Sequence, residues 1–150
     1  MSTVIDADRE RVWRALTEPS ELTGWDDRVL ASKDDPSAHA SPYPSAGQHL
    51  RWRVRLGGVP VVLHEKPQEI VRFERLSSTL KIGSLRLEQT YTLTVESLTP
   101  PRTRLGMKLV TTSSVAVVGD VVDRFSVRKL AAERIDHTLR AVQDWCQMNP

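Results

Sequence analysis

In this chain of 150 residues, the side chains able to do chemistry sit where polar residues interrupt apolar patterns. Leu85, Leu87, Gln89, Tyr91, Leu93 and Val95 alternate with Arg86, Glu88, Thr90, Thr92, Thr94 and Glu96. Gln89 and Tyr91 therefore share the apolar face of one strand, where an unpartnered polar group is costly. Together they can reach a carbonyl or hydroxyl of a ligand; alternatively, Tyr91 bonds a backbone carbonyl. Arg128 interrupts a second apolar set further on, where a guanidinium can meet an anionic head group or snorkel to water. His64 and Glu65, in VPVVLHEK, are the candidate bases, with Tyr91 as a candidate donor. That segment is apolar at both Val61 and Val62, so parity alone does not choose between them. Following Val61 and Leu63 puts Glu65 inward and His64 outward.

Other chemistries lack their residue patterns. His39, His49, His64 and His137 are scattered at no ligand spacing, so no metal and no cofactor is expected. Cys146 is the one cysteine, which excludes an intramolecular disulfide and any CxxC motif. It falls on an apolar helical position and reads as a packed thiol. No Ser-His-Asp set, Cys-His pair or HExxH is legible. Arg51, Arg53 and Arg55 make a basic stripe at period two, able to meet phosphates or an acidic protein partner. That face has no aromatic platforms, and the net charge is only +2, so nucleic acid is not expected.

Hydrophobic residues at 39% and charged residues at 27% place the chain among globular domains rather than disordered or membrane classes. Its length fits one domain over residues 1–150, able to bury roughly two-thirds of its surface without a metal or disulfide staple. No apolar run approaches a membrane span. The opening MSTVIDADRER has acidic residues where a signal peptide has its apolar core, so a cytoplasmic location is expected.

The elements that must position these groups follow from periodicity. Ser2 to Asp6 reads as a short strand, and Asp6-Ala7-Asp8 as capping carboxylates. Val12, Trp13 and Leu16 then mark one face of a helix that Pro19 stops, before a shorter second helix toward Trp25. Val29 to Ser32 is a weak strand. Asp34 to Gly47, with three prolines, reads as a loop: a lid carrying Tyr43, or a disordered stretch. His49 to Leu56 alternates without exception, Leu50, Trp52, Val54 and Leu56 against His49 and the three arginines. Gly57-Gly58 is a turn, Pro67 is expected to end the next strand, and Glu69 to Ser78 to form another. After Leu85 to Glu96, the segment Arg102 to Thr112 alternates Leu105, Met107 and Leu109 against Arg104, Gly106 and Lys108. Val121, Phe125, Arg128, Ala132, Ile135, Leu139, Val142 and Cys146 then form one stripe along a helix of about 25 residues.

The opening VIDADRERVWRALTEPSELTGW resembles the N-terminal signature of the START/Bet v 1-like superfamily (SRPBCC) at Ala7, Val12, Trp13, Ala15, Leu16, Thr17 and Trp25. The final VVDRFSVRKLAAERIDHTLRAVQDWC agrees with the same layout. The most similar branch is the polyketide cyclase/dehydrase-like group, and the Hsp90-activator-like branch shares much of the opening. The resemblance implies an α+β helix-grip fold: a curved antiparallel sheet of six to seven strands around a long C-terminal helix, with two short N-terminal helices. It implies a cavity between sheet and helix that binds a hydrophobic or aromatic small molecule. Trp52, Val54, Leu87, Leu93, Met107, Leu109, Phe125 and Ala132 would line it, with Gln89, Tyr91 and Arg128 orienting the ligand. The alternatives are a cyclase acting on a poly-ketone, with His64 or Glu65 as base, and a protein-interaction module.

Overall fold

Asp8 sets the first chain reversal. Its carboxylate accepts the backbone N–H of Arg11 at 2.8 Å, satisfying a donor that a helix start leaves open. The chain thereby passes from strand β1 (Ser2–Ile5) into helix α1 (Arg9–Thr17), which buries Val12, Trp13, Ala15 and Leu16. Pro19 stops α1 and also opens α2 (Pro19–Trp25), where its missing N–H costs nothing. The remaining elements are β2 (Val29–Ser32), β3 (Leu50–Leu56), β4 (Val59–Val71), β5 (Arg75–Ile82), β6 (Leu85–Leu98), β7 (Pro101–Thr111) and α3 (Arg124–Met148). This computed structural model describes residues 1–26, 29–32, 43–56, 59–83, 85–111 and 124–150, without the side chains of residues 29–32, 55, 56, 59 and 124–130.

The seven strands form one antiparallel sheet in the order β1-β7-β6-β5-β4-β3-β2. From β2 onward it is a meander, closed at the far edge by the first strand of the chain. Ile5 pairs with Thr103, and the Met107 N–H donates to the Met1 carbonyl at 3.0 Å. Helix α3 packs against β1, β7, α1 and α2. This is the α+β helix-grip arrangement. None of the described helices is long and apolar enough to cross a membrane.

Two apolar clusters fill the inner side. One joins Ile5, Val12, Trp13, Leu16 and Trp25 to Tyr91, Leu93, Leu105 and Met107, with Leu139, Val142 and Cys146 from α3. The other holds Leu50, Trp52, Val54, Leu63, Leu80 and Leu87 at the β3–β6 end, and Leu22 and Leu109 touch both. The strict alternation read from β3 and β6 is what sorts these residues inward.

Three expectations change. Residues 69–78 do not form one strand: 69–71 complete β4, 72–74 make a turn, and β5 starts at Arg75. Pro67 does not end a strand: β4 runs on to Val71, with a register shift between Pro67 and Glu69. The last β4 residue paired with β3 is Glu65, opposite Leu50, so Pro67 lies beyond the end of β3, where a residue without an N–H is tolerated. The Pro67 carbonyl instead accepts the Gly47 N–H at 2.8 Å. Ala132 is exposed rather than on the buried stripe, and Ala131 beside it is half-buried. A 4,3 spacing drifts ~20° per heptad around a straight helix. Two heptads before Cys146, the stripe has rotated off the covered face.

Candidate functional site

Glu65 lies inward on β4, opposite Leu50 on one side and Leu80 on the other. The Val61–Leu63 parity therefore gives the side chain directions, and the carboxyl is only 6% exposed among apolar neighbours. Three donors converge on it. The Ser78 hydroxyl donates at 2.8 Å, the Trp52 indole N–H at 3.0 Å, and the Tyr43 hydroxyl reaches both oxygens at 3.1 and 3.2 Å. Burial pushes the Glu65 carboxyl above its ordinary range. The bonds from Ser78, Trp52 and Tyr43 and the charge of Arg134 pull it back only in part. Burial and the adjacent Glu65 likewise hold the Tyr43 phenol well above its usual range.

Arg134 enters from α3, half-buried, and its Nε and Nη2 donate to the Gln89 Oε1 at 3.3 and 3.2 Å. Gln89 and Tyr91 point inward from β6, as the alternation requires. Leu16, Leu22, Trp25, Asp26, Val54, Leu63 and Leu80 complete the wall. The cavity between these residues is about 50 Å³, room for only a few water-sized groups. Chemically, the site offers a carboxyl raised above its ordinary range, the second buried carboxyl of Asp26, a guanidinium and an amide, set among leucines and tryptophans.

Trp52, Val54, Gln89 and Tyr91 border this 50 Å³ space together with Glu65. Leu87 packs in the β3–β6 cluster, Leu93 and Met107 belong to the core under α1 and α3, and half-buried Leu109 touches both clusters. None of these four borders the 50 Å³ space, and exposed Ala132 is also away from it. The side chains of Phe125 and Arg128 lie outside the described residues, as does loop 33–42, the greater part of the expected lid. His64 turns outward and its Nδ1 lies 3.2 Å from the His49 Nε2. Arg134 and Ser78 were not anticipated. Arg134 precedes the stripe residue Ile135, and the helical drift that exposes Ala132 brings it inward. Ser78 is inward by parity with Leu76 and Leu80, once β5 is known to start at Arg75.

Elsewhere, burial pushes the Cys146 thiol up to about 11, so it stays protonated at neutral pH. Among the described residues, no group of three or more His, Cys, Asp or Glu is placed to hold a metal.

The family described as Activator of Hsp90 ATPase homolog 1-like protein matches residues 6–134. The chain belongs to that family. No curated protein matches this Hsp90-activator-like chain. Among solved structures, it is similar to a START superfamily protein of Mycobacterium smegmatis, with TM-score 0.77 and 16% identity, covering 100% of this chain and 97% of that one. A protein of Thermus thermophilus gives TM-score 0.71 at 20% identity over 99% and 95% of the two chains. The ZhuI aromatase/cyclase of Streptomyces sp. R1128 gives 0.68 at 15% over 98% and 91%. At such identities the likeness is one of fold. The shared fold is the helix-grip arrangement that the resemblance of the opening residues implies.

Proposed function

We propose that the protein binds a small, largely apolar molecule whose polar end is read by Glu65, Gln89 and Arg134. The observation behind this reading is the convergence of a carboxyl, an amide and a guanidinium on one space in an otherwise apolar interior. Isolated from water, such groups cost stability, and perturbed titratable groups facing a cavity mark candidate binding sites. Trp52 and the leucines supply apolar contact. Arg134 faces an acidic or enolic oxygen of the ligand, and Glu65 accepts from a hydroxyl. The test is an NMR titration of labelled protein with a fatty acid, a flavonoid, an anthraquinone-like polyketide and a sterol. Saturable shifts of the Trp52 indole N–H and the Gln89 side-chain amide, weakened by Arg134→Leu, are expected. No shifts with any of the four would overturn the reading.

A second reading rests on the raised Glu65 carboxyl. A buried carboxyl tuned toward neutrality is a suitable base for proton abstraction beside a carbonyl, with Tyr91 or Arg134 facing the enolate. The similarity to an aromatase/cyclase is in keeping with it. Turnover of a poly-ketone that survives Glu65→Gln would remove this reading and leave the binding one standing.

A further inference from the structure

The outward face of the sheet holds basic side chains in register. Arg51 of β3 pairs with His64 of β4, His64 with Lys81 of β5, and Lys81 with Arg86 of β6. Directly paired residues project to the same side, about 4.5–5.5 Å apart at Cβ. One lateral row of four basic side chains therefore crosses four strands, about 14 Å long at a strand spacing of ~4.8 Å. Arg51, Lys81 and Arg86 are exposed, and His64 is half-buried. Exposed Arg53 and the His49 ring stacked on His64 widen it at the β3 end. Glu88, two residues from Arg86, is the acidic residue beside the row on β6.

We propose that this row docks an acidic helical segment of a partner protein, lying across the strands. One helical turn advances 5.4 Å, close to the ~4.8 Å step between strands, so acidic residues at i, i+4, i+7 and i+11 fall over successive side chains of the row. Other anionic surfaces fit less well. The large exposed apolar residues Val71, Val95, Leu98 and Val110 lie outside the row, leaving no apolar wedge within it for a bilayer. The row has no Trp, Tyr or Phe on which nucleotide bases could stack. It lies on the face opposite Glu65, so the proposal stands independently of the ligand pocket.

Fluorescence anisotropy with a labelled helical peptide of about 18 residues, Glu at those four positions, tests the geometry. A peptide of the same composition with its Glu residues in one block serves as comparison. The wild type should bind the first peptide more tightly, with affinity falling as salt rises. Lys81→Glu with Arg86→Glu should weaken binding about tenfold or more. Arg9→Glu with Arg140→Glu changes net charge equally, away from the row, and should stay within about twofold. Circular dichroism establishes that both variants are folded. Undetectable binding, equal binding of the two peptides, or equal weakening by the two double variants would overturn the proposal. So would tighter binding of phosphatidylserine vesicles or oligo-dT than of the helical peptide, if the row variant abolishes it.

Discussion

Glu65 is a carboxyl held where its type is rarely found, only 6% exposed among apolar neighbours. Unfolded, it titrates near the ordinary value of 4.5; folded, it titrates higher, because burial outweighs its hydrogen bonds from Ser78, Trp52 and Tyr43 and the charge of Arg134. Between those two values the folded state holds a proton that the unfolded state has released. Stability therefore falls as pH rises through that window and is unaffected by this group below it. Glu65→Gln removes the titration while keeping an acceptor for Trp52. Relative to that variant, the wild type should lose stability as pH rises from about 4.5. Urea unfolding of both proteins across the pH range checks this, and a difference that does not change with pH would contradict it.

At the scale of elements, three helices are tied by one carboxylate. Glu21 of α2 accepts from the Arg11 guanidinium of α1 at 2.6 Å and from the Trp145 indole N–H of α3 at 2.9 Å. Arg11 also donates through Nε to the Asn149 carbonyl at 2.6 Å. Burial raises the Glu21 carboxyl, but Trp145 and Arg11 more than offset it, leaving the group below its usual range. The Trp145 ring lies so close over Gly24 that a methyl group there would overlap it. Glycine, normally unfavourable inside a helix, is what lets α2 and α3 approach. Gly24→Ala gains about 1 kcal/mol of helix propensity but overpacks by about 1–3 kcal/mol. A lower melting temperature is expected, with a smaller drop when Gly24→Ala is made in a Trp145→Phe background, which itself loses the bond to Glu21; an unchanged or higher one would show that the ring moves freely.

The whole molecule depends on its first strand. β1 closes the sheet against β7, about 100 residues later in sequence, and fully buried Ile5 joins both to the core of α1 and α3. Ile5→Ala should cost about 2–5 kcal/mol, as for other large-to-small core changes. That is a large part of the ~5–15 kcal/mol that holds a domain together. A shift in the urea midpoint with an unchanged slope would register it, and a loss below about 1 kcal/mol would mean that the edge is expendable. Strand alternation then places Glu65, Gln89 and Tyr91 on one side of the sheet and the basic row on the other.

The sequence by itself determined the parity of β3 and β6, the inward direction of Gln89 and Tyr91, and the apolar stripe of α3 near Cys146, whereas between His64 and Glu65 the structure decided. These are local periodicities, fixed by backbone geometry within a few residues. Packing residues such as Val12, Trp13, Leu16 and Trp25 also made the fold legible through resemblance. Only the tertiary structure decided which polar groups meet. Tyr43 and Glu65 are 22 residues apart, and Trp52 and Ser78 each 13 from Glu65. Their convergence depends on strand register, which turn lengths and the irregularity at Pro67 set. Arg134 required the true phase of α3, which a 4,3 reading loses over two heptads. The row from Arg51 to Arg86 joins residues from four strands, each ordinary alone, because antiparallel pairing aligns what periodicity within one strand cannot.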